Sequence, residues 1–287
     1  MLVGLVLPMA PKDGDAATWA GLLGLARTAE AGGADSLWAF DHLVYRLAGE
    51  AEGGMHEVFT ILAAVAASTQ RVAIGPLVTA TSFRNPGLLA KIAAGLDLVA
   101  PRRVILGMGC GWHEPEYQAF GYPFDHRVGR FEEALAIVRP LLDGERVTRA
   151  GTWQSVDDAV LLPPPANRVP IVVAAKGSRM LALTAQWADG WQTTWFGLPD
   201  DRFRDGRAQL LDASGAAGRA TPPEVYAAVQ VQADPSLRKR IPLDAGAVAD
   251  ALAAWAEEGV AHVQLWVDPA TVPAFETTLE GIRRWRG

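Results

Sequence analysis

One rhythm limits this chain more than anything else in it. Short β-forming runs at 2–7, 36–40, 72–78, 104–108, 170–174, 190–195, 225–231 and 262–267 alternate with helical patterns at 18–31, 57–68, 86–99, 127–142, 178–187, 199–214, 245–258 and 272–285. A helix between successive strands is a crossover connection, so the strands run parallel and their sheet is covered by helices. Eight such units follow one another without a linker-like break, which predicts an α/β protein of the (β/α)8 TIM-barrel kind with residues 1–287 as one domain.

Local punctuation supports these bounds. Asn85 precedes Pro86, placing a capping side chain before a proline at the first helical position, where a missing N–H costs nothing. Val128, Phe131, Leu135, Val138 and Leu142 step by three and four residues, the stripe of a helix packed on one face, and Gly144 closes it. One interval breaks the rhythm. Residues 144–169, between the fourth and fifth strands, carry β-formers, turn residues and the run Pro163, Pro164, Pro165. They are read as a hairpin-like insertion followed by a stiff extended connector.

Composition removes several classes of function. Half of the residues are hydrophobic and 20% are charged, so a large core forms and disorder is excluded. The 26 basic residues are outnumbered by 32 acidic ones, giving a net charge of −6, which argues against a nucleic-acid partner. Cys110 is the one cysteine, so neither a disulfide framework nor a four-cysteine zinc site exists. The apolar start MLVGLVLPMA lacks a basic flank and is read as the first strand, not a signal peptide. Apolar runs such as 61–67 are too short to span a membrane, and the expectation is a cytoplasmic protein with no membrane partner.

In such a barrel, chemistry gathers where the strands end. Asp41 and His42 follow the second strand; imidazole exchanges protons near neutral pH, and an adjacent carboxylate is able to fix its tautomer. The stretch Gly107-Met108-Gly109-Cys110-Gly111-Trp112 lacks the third glycine of a dinucleotide fingerprint and follows the fourth strand instead of the first. Its glycines are read as letting a flat ligand approach the backbone, with Trp112 either lining that cavity or serving as a rim or core tryptophan. Lys176, Gly177, Ser178 and Arg179 open a helix after the fifth strand, either as an anion cradle or as a solvated basic turn. Trp195, after the sixth strand, is a second aromatic candidate for the substrate pocket. Cys110, His113 and Glu116 lack metal-binding spacing, and no metal is expected.

Taken together, Ser36-Leu37-Trp38-Ala39-Phe40-Asp41-His42-Leu43, Arg71 to Thr79, Phe83-Arg84-Asn85-Pro86, Gly107 to Tyr117, Phe120 to Phe124 with Arg127, and Ala188-Asp189-Gly190-Trp191 resemble the bacterial-luciferase-like flavin and deazaflavin oxidoreductases, in order along the chain. The resemblance implies a barrel whose mouth holds a tricyclic redox ring. The fourth-strand motif is most similar to members using coenzyme F420, with an FMN-dependent monooxygenase or a non-catalytic flavin-binding relative as the alternatives. It implies that His42 sits beside the ring with Asp41 helping to place it. It further implies a non-proline cis bond at Leu77–Val78, with Leu77, Val78 and Thr79 behind the ring. Gly109, Cys110 and Gly111 would adjoin the cofactor, Lys176, Gly177, Ser178 and Arg179 would hold its phosphate, and the protein would be a homodimer acting on a small organic molecule. Two departures stand out. Ala174-Ala175 replaces the paired glycine many relatives carry before the phosphate-binding helix, and Trp112 stands where the sugar-phosphate dehydrogenases of the family have a glutamate, which suits a less polar substrate.

Overall fold

The computed structural model describes residues 1–10, 17–46, 49, 51–234, 236 and 239–287, and for 194–196 the backbone. Eight parallel barrel strands are present: Leu2–Val6, Ser36–Ala39, Ala73–Pro76, Leu106–Gly109, Ile171–Ala174, Gly190–Phe196, Glu224–Gln232 and His262–Asp268. Hydrogen bonding joins them in the order three, two, one, eight, seven, six, five, four. The circle closes because strand three continues beyond a break as Thr79–Ala80, which pairs with Met108 and Gly109 of strand four. Ile105 N–H also donates to Ile74 O at 2.9 Å, reinforcing the same seam. The break is the cis peptide Leu77–Val78, at the bond the resemblance pointed to.

Helices cover the outside. Those used below are α1 (Trp19–Ala31), α2 (Val58–Ser68), α3 (Pro86–Val99), α4 (Glu114–Phe120), α5 (Arg127–Leu142) and α6 (Ser178–Trp187). Asn85 caps α3 as read from the sequence, its side chain accepting from Leu88 N–H. The insertion is the antiparallel hairpin Val147–Ala150 and Ser155–Ala159. Glu133 on α5 holds its turn, accepting the N–H groups of Thr152, Trp153 and Gln154 at 2.8 Å each. Among the elements not anticipated are α4 and a short hairpin pairing Val44–Tyr45 with Gly53–Gly54. Both follow barrel strands directly, where a single helix had been expected.

The barrel interior is filled at its lower end and open at its upper end. Below, the rings of Trp38, Tyr226 and His262 meet at centroid distances of 6.3, 5.6 and 5.1 Å. Glycine is required beside them: a Cβ at Gly4 would lie 2.0 Å from Ser36 Oγ, and one at Gly190 would lie 2.7 Å from the Tyr226 ring. Trp38 Nε1 donates to Ser36 Oγ at 2.6 Å, so the hydroxyl turns its own proton toward His262 Nε2 at 2.7 Å. Above this layer, Gln192 of strand six and Gln264 of strand eight exchange two amide hydrogen bonds of 2.9 Å over the strand between them.

His262 is accordingly neutral in the fold. Burial, aided by the nearby N-terminal ammonium, holds its pKa down to about 3 against an ordinary 6.5. Between those values the unfolded chain binds the proton and the folded chain does not, so stability is complete above pH 6.5 and falls as pH drops toward 3. Urea midpoints measured from pH 7 to pH 4 are expected to fall along this limb. His262→Gln should flatten the limb, and an unchanged slope would contradict the assignment.

Candidate active site

At the upper end the strands open into a cavity of about 1930 Å³. That is larger than a single drug-sized ligand needs and leaves room for a cofactor together with a substrate.

His42 lines the cavity just past strand two. Its Nδ1 lies 2.9 Å from Glu116 Oε1, and Glu116 Oε2 accepts the Leu43 N–H at 2.9 Å. Glu116 is 1% exposed and sits in the first turn of α4, where an acid is favoured by the helix dipole. With Glu116 accepting from Nδ1–H, Nε2 is left as the acceptor nitrogen of the ring. Neighbouring rings limit how the imidazole turns: Tyr45 lies 4.5 Å away and Trp112 meets it edge-on at 5.6 Å. Burial, with the charge of Glu116 behind it, raises the Tyr45 pKa, so the phenol stays neutral. His113, which opens α4, accepts from Arg46 N–H through Nε2 at 3.1 Å.

The carboxylate that holds His42 is therefore Glu116, and the expectation for Asp41 needs correcting. Asp41, 4% exposed, turns instead to strand three. Its Oδ2 accepts from Thr79 Oγ1 at 2.6 Å, from Ala80 N–H at 3.1 Å and from Arg84 Nη1 at 2.6 Å, while Oδ1 accepts from Arg84 Nη2 at 3.0 Å. Arg84 also reaches Glu57 at 2.7 Å and lies over the Phe59 ring. Two adjacent residues thus serve different elements, Asp41 the broken third strand with Arg84 and His42 the helix α4.

The glycines after strand four also differ from expectation. A Cβ at Gly107 would lie 2.1 Å from Pro76 O and 2.9 Å from Val78 Cγ1, and one at Gly109 would lie 2.8 Å from Val78 Cγ2. Gly111, at φ +73°, would place a Cβ 1.7 Å from Tyr117 Oη. The space they free is occupied by the broken third strand and by α4. Gly109, Cys110 and Gly111 still border the cavity, as do Leu77 and Val78; Thr79 is buried behind them. Cys110 Sγ lies 3.4 Å from Met180 Sδ, and burial pushes its thiol up to about 11, so it is an uncharged wall group at neutral pH. Cys110, His113 and Glu116 do not converge, and among the described residues no acidic, histidine or cysteine cluster suits a metal ion.

On the same side, Lys176 and Arg179 line the cavity at the start of α6, and Arg179 pairs with Glu132 at 2.7 Å. Gly177 and Ser178 are exposed at this helix start, Gly177 at φ 75° as the residue before the first turn. Arg127, at the start of α5, is a third cation; it donates to Gly111 O at 2.9 Å and covers the Phe124 ring at 3.9 Å. Trp112 is 58% exposed at the rim, beside His42. The side chain of Trp195 lies outside those described. Two groups escaped the sequence reading, Glu116 as the partner of His42 and Thr193. Thr193 borders the cavity 2% exposed, and its Oγ1 has no partner among the described residues. The signal for Glu116 was present in His113-Glu114-Pro115-Glu116, a helix start with early proline and first-turn acids.

Comparison with known proteins agrees with this architecture. The profile of the luciferase-like monooxygenase family matches residues 1–269, and the chain belongs to that family. An F420-dependent glucose-6-phosphate dehydrogenase of Beutenbergia cavernae is 38% identical over 190 residues, 64% of this chain and 53% of that protein. A phthiodiolone/phenolphthiodiolone dimycocerosates ketoreductase of Mycobacterium tuberculosis is 35% identical over 207 residues, 65% of this chain and 54% of that protein. The chain spans about half the length of these curated relatives. An F420-dependent secondary alcohol dehydrogenase solved with an F420–acetone adduct superposes with a TM-score of 0.84, covering 100% of this chain and 99% of that one at 20% identity.

Asp41→Asn leaves Arg84 facing one carboxylate fewer in a buried setting and is expected to cost about 3 kcal/mol of stability. Chemical denaturation checks this. A loss below about 0.5 kcal/mol, the range of an ordinary surface change, would show that the pair does not anchor strand three.

Proposed function

We propose that the protein is an F420-dependent oxidoreductase acting on a small organic substrate at the mouth of the barrel. The observation that carries this reading is the juxtaposition of His42, fixed by Glu116, with a large cavity that has cations on one side. The relatives named for F420 add to it. The residues fit such a group. Lys176, Arg179 and the α6 start suit a phosphate and an anionic tail. Leu77, Val78 and Cys110 offer an apolar backing for a flat ring, and Thr193 Oγ1 offers an unused polar contact at its edge. When bound, F420 supplies a carbon that accepts or donates hydride.

The protein's part is to position, dry and exchange a proton. Phe40 and Trp266, 5.6 Å apart edge-to-face, wall the cavity with apolar surface that displaces water. His42 Nε2 takes the substrate's proton in the oxidative direction and returns it in the other. Glu116 stabilises the imidazolium formed meanwhile and prevents the ring from rotating.

The test is titration of the purified protein with oxidised F420 and with FMN. Micromolar binding of F420 is expected; binding of neither refutes the reading, and FMN binding with oxygen uptake transfers the protein to the monooxygenases. His42→Ala should lower turnover about a hundredfold or more, the usual scale of a lost acid–base group, with F420 affinity nearly unchanged. An unchanged rate would clear His42 of that role. Glu116→Gln has one acceptor oxygen for two donors, His42 Nδ1–H and Leu43 N–H, so turnover should fall about tenfold or more with F420 affinity again nearly unchanged.

A further inference from the structure

The charges of the cavity are distributed unevenly, and strand order shows how. Lys176 and Arg179 follow strand five and Arg127 belongs to the helix after strand four. Across the barrel lie strands eight, one and two. On that side the lining is Leu7, Met9, Phe40, Met55, Trp266 and their apolar neighbours, and no Lys or Arg among the described residues borders it. The charged groups that border the cavity there are the carboxylates of Asp41, Glu52 and Asp268; Asp41 and Glu52 are already paired with Arg84 and Arg46, and Asp268 accepts from Gln232 Nε2 at 3.1 Å. An anionic substrate on this wall would give up its water, meet no cation among the described lining residues and face carboxylates, whereas an alkyl or aryl body would bury surface at no electrostatic cost.

Building on the F420 reading, we propose that the half of the cavity opposite the cations takes an uncharged apolar alcohol, or its carbonyl partner, and rejects phosphorylated sugars. The body of the substrate packs on Phe40, Met55 and Trp266, and its carbinol faces His42. In the oxidative direction the carbinol C–H bond breaks and its hydride, carrying two electrons, passes to oxidised F420, the oxidant. The O–H proton passes to His42 Nε2, and the alcohol carbon becomes a carbonyl. The proposal separates this chain from its 38%-identical relative named for glucose 6-phosphate, despite their common family.

The experiment follows F420 reduction by the alkan-2-ols from propan-2-ol to octan-2-ol, with glucose 6-phosphate as the comparator, after F420 affinity has been measured separately. kcat/KM should rise about three- to fourfold per added methylene until the wall is filled, with glucose 6-phosphate at least a thousandfold below octan-2-ol. A flat series, or glucose 6-phosphate as the better substrate, overturns the proposal while leaving F420 binding standing. If F420 does not bind, calorimetry of octan-2-one against glucose 6-phosphate on the protein alone still decides the character of the wall, and tighter binding of the sugar phosphate overturns it. Met55→Lys places a cation on the wall and should reduce the preference for octan-2-ol over propan-2-ol at least tenfold, with circular dichroism and F420 affinity unchanged. Met55→Leu should retain the preference, and a Lys variant that retains it too would count against the wall.

Discussion

A closed ring of parallel strands has an interior that side chains must fill, and here they fill only one end. Trp38, Tyr226 and His262 need so much room that Gly4 and Gly190 cannot carry a Cβ beside them. Higher up, Gln192 and Gln264 are held to each other by their amide pair, and larger side chains such as Phe40 and Trp266 stand as walls around an open space. The cavity is what remains above a packed base. The base is held by close ring packing and by the hydrogen bonds that Ser36 makes to Trp38 and His262, while the upper rim carries side chains from many separate loops, each free to differ without disturbing the core.

Two buried carboxylates connect that base to the chemistry. Asp41 accepts four hydrogen bonds, two from the planar fork of Arg84, and thereby binds the end of strand two to the broken strand three. Glu116 accepts two, one from the backbone after His42 and one from the imidazole itself. Both are charge-assisted contacts in poorly solvated surroundings, where such bonds are strongest and where losing one partner is most costly. The first fixes the Leu77–Val78 wall of the cavity, and the second fixes the orientation of His42 at its mouth. His42 is precise because it is held from α4, an element that makes no contribution to the barrel ladder.

The barrel was legible because strand–helix alternation is a local pattern repeated eight times, and each repeat declares itself through periodicity and caps. His42 was legible because it follows a strand. The identity of its partner was not, since Glu116 lies 74 residues away and meets His42 only when strands two and four are placed around one mouth. The neighbouring Asp41 was the natural candidate from sequence alone, yet its carboxylate is taken up by Thr79, Ala80 and Arg84. The glycines after strand four were visible, but their use was not: a glycine admits whatever approaches it, and here Val78, Pro76 O and Tyr117 do so in place of a ligand.

Charge follows the same division of labour as packing. The protein carries a net charge of −6, yet three cations, Arg127, Lys176 and Arg179, line the cavity on one side. Placing them there lets an anionic group be held at the rim without strengthening attraction elsewhere in the mouth, because the fields of exposed charges fade over about 8–10 Å at ordinary ionic strength. The opposite wall is then governed by burial of apolar surface, which is insensitive to salt and grows with the size of the molecule against it. The charged side and the apolar side can therefore be altered independently within one cavity, by substitutions on different strands.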